Sequence, residues 1–293
     1  MSHFDKLLEA GHIQPPRFLK NNIIYEVITG SIAYGTNIDN VSDFDMYGVC
    51  IPLKEMIFPH LAGEILGFGR QIQRFEQYIQ HHVSSGNKSY DLTYMSIVKY
   101  FQLCMENNPN MVDTLFVPEN CVTHMNAIGS MIRENRRHFL HKGSYYKFSG
   151  YAHSQLHKMS SNKREGKRKE IHDEFGFDVK FAMHLVRLSY EAEMILSEHN
   201  LDLQRHSEHL KAIRRGEIKE EDIRLWFSAK EKYLEELFAK STLRDTPDYD
   251  FLKELLLNCL EHHFGNLDKA IVREDKYRVA SLQISEILRS VGL

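Results

Sequence analysis

The chain contains no apolar run approaching the ~20 residues that a membrane-spanning helix requires. Nor does a short apolar core follow its first residues in the manner of a secretion signal. Together these absences predict a cytoplasmic protein with no membrane attachment. Cysteine is sparse: Cys50, Cys104, Cys121 and Cys259 are scattered and never close-paired, which predicts reduced thiols, neither disulfides nor a zinc site. No internal repeat is visible, which excludes a solenoid. Neither sign of charge dominates, the formal net charge being −3. What is present, 42% hydrophobic and 26% charged residues, is the composition of a globular protein. At 293 residues the chain is long for one small core, and two lobes are expected.

The near-neutral total hides an asymmetry. Residues 133–170 carry eleven basic groups against three acidic ones, a local excess of +8 on an otherwise acidic chain. Phe139, Tyr145, Tyr146, Phe148 and Tyr151 are interleaved with those charges. Aromatic faces beside cations suit a single-stranded nucleic acid, while core aromatics beside a solvated basic loop would give the same pattern.

Patterning changes along the chain. Phe4, Leu7 and Leu8 share a face of a short helix ended by Gly11, and Pro15-Pro16 breaks the chain before the apolar strand Ile23–Ile28. Strands are expected around residues 43–51 and 89–94; between them Arg70–Val83 alternates poorly, though Phe75, Tyr78 and Ile79 favour a strand or hairpin there, and Ser85–Lys88 is a turn. From Ile97 the period is helical, and helices are expected at about 125–141, 144–161, 177–199, 219–240, 248–270 and 275–290. Strands first and helices afterwards predict an α+β fold, with a boundary near Val122–Met125 dividing residues 1–124 from a helical lobe at 125–293.

The first strand runs into Gly30-Ser31-Ile32-Ala33-Tyr34-Gly35-Thr36, and Ser42-Asp43-Phe44-Asp45-Met46-Tyr47-Gly48 follows. A strand that stops at Gly-Ser and turns into a helix leaves backbone N–H groups for phosphate oxygens, with the Ser31 hydroxyl beside them. Asp43 and Asp45, two apart on a strand, leave the same face. Two adjacent carboxylates repel unless a cation lies between them. Amides for phosphate next to a carboxylate pair point to Mg²⁺ carrying a nucleoside triphosphate. Two surface aspartates in a turn are the bland alternative, but Phe44, Met46, Tyr47 and Val49 bring too much apolar surface for a solvated turn.

This arrangement resembles the signature of the polymerase-β-like nucleotidyltransferase superfamily. Gly-Ser-x-Ala-Tyr-Gly-Thr followed by Ser-Asp-x-Asp-x-x-Gly-Val is similar to bacterial and phage predicted nucleotidyltransferases found near RNA ligases. The likeness extends through Asn108-Pro109, Tyr151–Leu156 and Lys180–Leu188, and so covers roughly residues 20–200. It implies a minimal nucleotidyltransferase mixed β-sheet lobe followed by a helical lobe, with the nucleotide between them. It also implies metal-assisted transfer of an NMP from an NTP to a hydroxyl, with Mg²⁺ or Mn²⁺ held by Asp43 and Asp45. A third carboxylate is expected on a neighbouring strand, to hold one metal and take the acceptor's proton; Asp91 fits, and Glu76 competes.

Ser31 would donate to the triphosphate, and Gly30 and Gly35 would let backbone approach it. Lys180, His184 and Arg187, at i, i+4 and i+7, leave one helix face, which spacing alone reads as solvated. The resemblance includes all three, which implies phosphate contacts, with Lys180 a point charge and Arg187 a bidentate clamp on the pyrophosphate. Tyr151, Lys158, Lys163, Arg164, Lys167 and Arg168 are the candidates for binding the acceptor, most plainly an RNA end. Transfer to a protein or small molecule, or a non-catalytic nucleotide or RNA binder, are the alternatives. His153 and His157 lack a third ligand for zinc, and His206, His209, His262 and His263 read as surface residues.

Overall fold

The computed structural model describes residues 2–37, 43–58, 73–159, 167–265 and 284. Five strands, β1 (Ile23–Ile28), β2 (Phe44–Cys50), β3 (Gln77–Ser85), β4 (Lys88–Ser96) and β5 (Val122–Met125), form one sheet in the order β3-β4-β2-β1-β5. β2 runs parallel to β4 and antiparallel to β1, which makes the sheet mixed. β1 is buried along its whole length, as a run apolar at every position but Glu26 predicts for a strand covered on both faces. The one acid in that run, Glu26, is fully satisfied. It accepts the N–H of His3 (3.0 Å) and of Phe4 (3.3 Å) and the hydroxyls of Tyr94 and Thr123 (both 2.6 Å), which pins the N-terminal helix α1 (His3–Glu9) to the sheet.

Three single-turn helices follow in the first lobe: α2 (Leu19–Asn22), α3 (Gly30–Ala33) and α4 (Lys54–Ile57). α5 (Ile97–Met105) and α6 (Pro109–Phe116) follow β4, the second opened by Asn108 and by proline at its first position, where a missing N–H costs nothing. The helical lobe comprises α7 (Ala127–Glu134), α8 (Ser144–Met159), α9 (Lys167–Phe175), α10 (Val179–Glu198), α11 (Ser207–Arg214), α12 (Glu220–Lys240) and α13 (Tyr249–Phe264). α10 is its axis: it packs against α8, α11 and α12, and is apolar on most of its circumference. Asp178 caps it, accepting the N–H of Lys180 (3.0 Å) and of Phe181 (3.1 Å), so Lys180 falls in the first turn.

The α+β architecture is the one expected. Val122–Met125, expected as a boundary between lobes, is an edge strand paired to β1, and α7 follows it directly through its cap Asn126. α9 and α11 are additional to the expected helices, and the expected helix at 275–290 lies outside the described residues except for Ile284. All four cysteines are free and buried. No helix among the described residues is long and apolar enough to cross a membrane. Phe139 and Phe148 are core residues, which takes them out of any nucleic-acid surface. His206 and His209 are not plain surface groups: His206 stacks on Tyr190 at 3.7 Å, and the Tyr190 hydroxyl bonds His209 Nδ1 at 3.0 Å.

Candidate active site

The site begins where β1 ends. The Thr29 N–H (2.8 Å) and hydroxyl (3.1 Å) both donate to the Asp45 carbonyl, tying the turn to β2. Gly30 follows with φ +64°, in the left-handed region that favours glycine. A Cβ placed on Gly30 would overlap Asp45 Oδ2, so that carboxylate lies directly against the bare Cα. The single turn of α3 then closes through Tyr34 N–H to Gly30 O (3.1 Å) and Thr36 N–H to Ser31 O (2.8 Å).

Parallel register sets Asp91 of β4 opposite Asp45 of β2. Burial, and then the negative charge of Asp91, raises the Asp45 carboxyl above the ordinary range; Lys180 opposes the rise and Asp43 adds to it. One acid thus feels both other carboxylates and the cation at the start of α10. Of the two candidates for a third carboxylate, Asp91 is the one that the register places opposite Asp45. Glu76 precedes Gln77, which pairs with Met95 at the other end of β4, and its carboxylate is 3.5 Å from Lys99 Nζ.

Asp91 is steered by residues that the sequence patterning did not single out. A register shift in β3 between Gln80 and Val83, with His82 at φ +56°, turns the His82 N–H onto Asp91 Oδ1 at 2.8 Å. His81 Nδ1 is 3.4 Å from the same oxygen. The signal in the sequence was the adjacent pair His81-His82 on a strand facing Asp91 across the turn at Ser85–Lys88.

Beside Asp45 opens a cavity of about 180 Å³, walled by Thr29, Gly30 and Tyr34 of the turn, by Asp45 and Tyr47 of β2, and by Asn110, Tyr151, His184 and Arg187 from α6, α8 and α10. Residues far apart in sequence and named for different roles, Gly30, Asp45, Tyr151, His184 and Arg187, therefore meet around one cavity. Burial, and next Asp45, pushes the Tyr47 phenol up to about 12, so it stays protonated.

Three residues are placed otherwise than expected. Gly35, at φ +63°, does not face the cavity: a Cβ there would touch Ser207 Cβ at 3.4 Å, and its turn is held from behind by Gln204 Nε2 on Ala33 O (3.2 Å) and Arg214 Nη1 on Thr36 O (3.1 Å). Ser31 lies on the same turn, half-buried and off the cavity wall. Arg187 is not on a solvated face, and its Nη1 is not open for a pyrophosphate. It is 3% exposed and donates to Asp113 Oδ2 (2.6 Å) and to Glu191 Oε1 (2.8 Å) and Oε2 (3.1 Å). Burial opposes its charge, but Glu191, Tyr34 and Asp113 together hold it protonated.

The basic segment divides. Arg133 is buried on the Tyr25 hydroxyl (2.8 Å) and Val117 O (2.6 Å), Arg136 lies over the Phe116 ring, and Arg137 donates to Asn200 (3.3 Å). Lys142 and Lys147 are ion-paired with Asp245 (3.7 Å) and Glu106 (3.9 Å). Lys158, exposed on the last turn of α8, has its Nζ 5.9 Å from the Phe181 ring centroid. Lys163 and Arg164 lie outside the described residues, and Lys167 and Arg168 open α9. His153 Nε2 is 2.7 Å from Glu231.

Asp43, Asp45 and Asp91 offer hard oxygen donors, the set that Mg²⁺ and Mn²⁺ take, and the repulsion acting on Asp45 is what a divalent cation relieves. In donor chemistry the residues fit such an ion. Among the described residues, however, no three His, Cys, Asp or Glu side chains are gathered around one point.

A mixed sheet whose first strand ends in a glycine turn against an acidic second strand, closed by a helical lobe, is a nucleotidyltransferase-like α+β architecture. The chain belongs to the RNA repair pathway DNA polymerase beta family, matching it over residues 4–258. It is similar to the crystal structure of a nucleotidyltransferase-like protein from Exiguobacterium sibiricum 255-15, at 12% identity over 80% of this chain and 73% of that one, with a TM-score of 0.29. No curated protein matches the chain.

Proposed function

We propose that the protein is a metal-dependent nucleotidyltransferase that moves an NMP from an NTP to the hydroxyl of an RNA end. One observation carries the reading: the Asp45 carboxylate, lodged on the bare Cα of Gly30, faces Asp91 in register and lies within the field of Lys180. Membership of an RNA repair family supports RNA as the acceptor.

Asp43, Asp45 and Asp91 would hold the Mg²⁺ or Mn²⁺. Such an ion polarises the α-phosphate and stabilises the charge of the departing pyrophosphate. In the reaction the acceptor oxygen bonds to the α-phosphorus, the bond from that phosphorus to the β-phosphate oxygen breaks, and pyrophosphate leaves with the electron pair. With Oδ1 of Asp91 engaged by the His82 amide, Oδ2 takes the proton of the attacking hydroxyl. Gly30 and the amides of its turn bind phosphate oxygens. Lys180 offsets charge on the leaving group, while Tyr151 and His184 line the space for base and sugar. Lys158, Lys163, Arg164, Lys167 and Arg168 hold the acceptor's phosphates.

The test is incubation with each α-labelled NTP and Mg²⁺, with and without RNA, beside the Asp43→Ala/Asp45→Ala variant. Label on RNA with the intact aspartates alone is the expected result. Label on protein would move the acceptor to a side chain. NTP binding without transfer, unchanged in the variant, would make the site a binding module.

A further inference from the structure

Three separate elements meet on one buried oxygen, Asp113 Oδ2. It accepts the Tyr34 hydroxyl from the nucleotide turn (2.6 Å) and Arg187 Nη1 from α10 (2.6 Å), while Asp113 itself belongs to α6. Arg187 also lies over the Tyr34 ring, its guanidinium carbon 4.2 Å from the centroid, so Tyr34 is gripped both by its face and by its hydroxyl. α6 is in turn fastened to the sheet, since Thr114 O accepts the Tyr25 hydroxyl of β1 (2.8 Å) and Thr114 Oγ1 pairs with Tyr100 of α5 (2.8 Å). A chain of polar contacts thus runs from β1 through α6 to α10 and back to the turn that β1 feeds.

Stability alone does not account for this cluster. One cation and two acids, each no more than 3% exposed, are taken out of water, and Asp113 Oδ1 and Arg187 Nε find no hydrogen-bond partner. An apolar packing of the same volume would avoid those costs. What the ions supply is direction, because a carboxylate oxygen and a guanidinium bond at defined angles, where methyl groups slide.

We infer that Arg187 is a positioning residue: through Asp113 and Tyr34 it locks the Gly30–Thr36 turn to α10, fixing the phosphate-binding turn relative to Lys180 and His184. This rests on the nucleotidyltransferase reading for its purpose, though not for its geometry. Arg187 acts through Asp113 and Tyr34, which occupy its Nη1 and the face of its guanidinium.

Hydrogen exchange on the full chain without nucleotide tests the lock independently of any activity. Tyr34→Phe keeps the ring under the guanidinium and removes only the hydroxyl. Exchange in a peptide spanning residues 29–37 should quicken about 3- to 30-fold, with α12 unchanged, as local opening requires. Asp113→Asn should do the same, and the double variant should be no faster than the stronger single, because both cut one linkage. Affinity for ATP with Mg²⁺ should fall by about tenfold in Tyr34→Phe and alike in Arg187→Lys and Arg187→Gln. Unchanged exchange at 29–37 in the well-folded Tyr34→Phe protein would overturn the inference whether or not the protein transfers nucleotides. ATP affinity restored by Arg187→Lys over Arg187→Gln, with Tyr34→Phe indifferent, would overturn it as well, by making Arg187 a direct phosphate ligand. Absence of any NMP transfer by the wild-type protein, with the exchange effect intact, would instead sink the nucleotidyltransferase reading and leave the lock standing.

Discussion

Gly30 excludes a side chain on two counts, its left-handed φ and the Asp45 carboxylate in the space a Cβ needs. Gly30→Ala should therefore cost about 1–3 kcal/mol in urea denaturation and lower label transfer by roughly 100-fold, since about 1 Å of misplacement at a reacting group is worth that much. Asp45 argues the opposite sign. Burial and then the charge of Asp91 raise its carboxyl above the ordinary range, a cost to the ionised form that a cation offsets. In chelator, Asp45→Asn should be more stable than wild type by about 1 kcal/mol, raising Tm by ~2–4 °C. Mg²⁺ should raise the Tm of the wild type and leave the variant's where it was; a variant less stable than wild type in chelator would show that the repulsion is not felt. These acids were legible in the sequence because strand alternation fixes which way Asp43 and Asp45 point and a second acidic strand was visible at Asp91. Arg187 was not. Its partner Asp113 is 74 positions away, and a period that places three cations on one helix face says nothing about what that face meets.

At the scale of elements, the edge strand β3 aims Asp91. Its irregularity puts His82 at φ +56°, a conformation glycine adopts freely and β-branched residues resist. His82→Gly keeps the N–H on Asp91 and relieves the backbone, so its stability should match or exceed wild type by up to about 1 kcal/mol, with transfer retained. His82→Val should lose about 1–2 kcal/mol and flatten the bulge, lowering transfer. Equal thermal midpoints and equal rates for the two variants would show that the bulge has no part in orienting Asp91. β1, β2 and β4 were readable from their apolar patterning, β3 only as a strand or hairpin because its stretch alternates poorly, and the bulge only from the pair of histidines. β5 escaped for a different reason. Four residues, Val-Thr-His-Met, with two of them exposed, carry no alternation, and what makes them a strand is the vacant edge of β1 beside them.

For the molecule as a whole, the question is which part of the +8 segment meets a polyanion. Sequence charge could not divide it, because a lysine paired with an aspartate a hundred positions later counts the same as a solvated one. The fold divides it: Lys142 and Lys147 face acids on other elements, Arg136 lies over an aromatic ring and Arg137 bonds Asn200, while Lys158 ends α8 on the helix that brings Tyr151 to the cavity. Each phosphate neutralised on a single strand contributes about 0.7 to the slope of log K against log salt. Removing Lys158, Lys163, Arg164, Lys167 and Arg168 together should therefore flatten the slope for a short single-stranded RNA by about 2–3. Removing Arg136, Arg137, Lys142 and Lys147 should change it by less than about 0.7, despite nearly the same loss of formal charge. Filter binding of one labelled RNA across a salt series measures both. Equal flattening by the two sets would mean that RNA senses the protein's total charge and not a surface beside the cavity, and the acceptor would then have to be sought among proteins or small molecules.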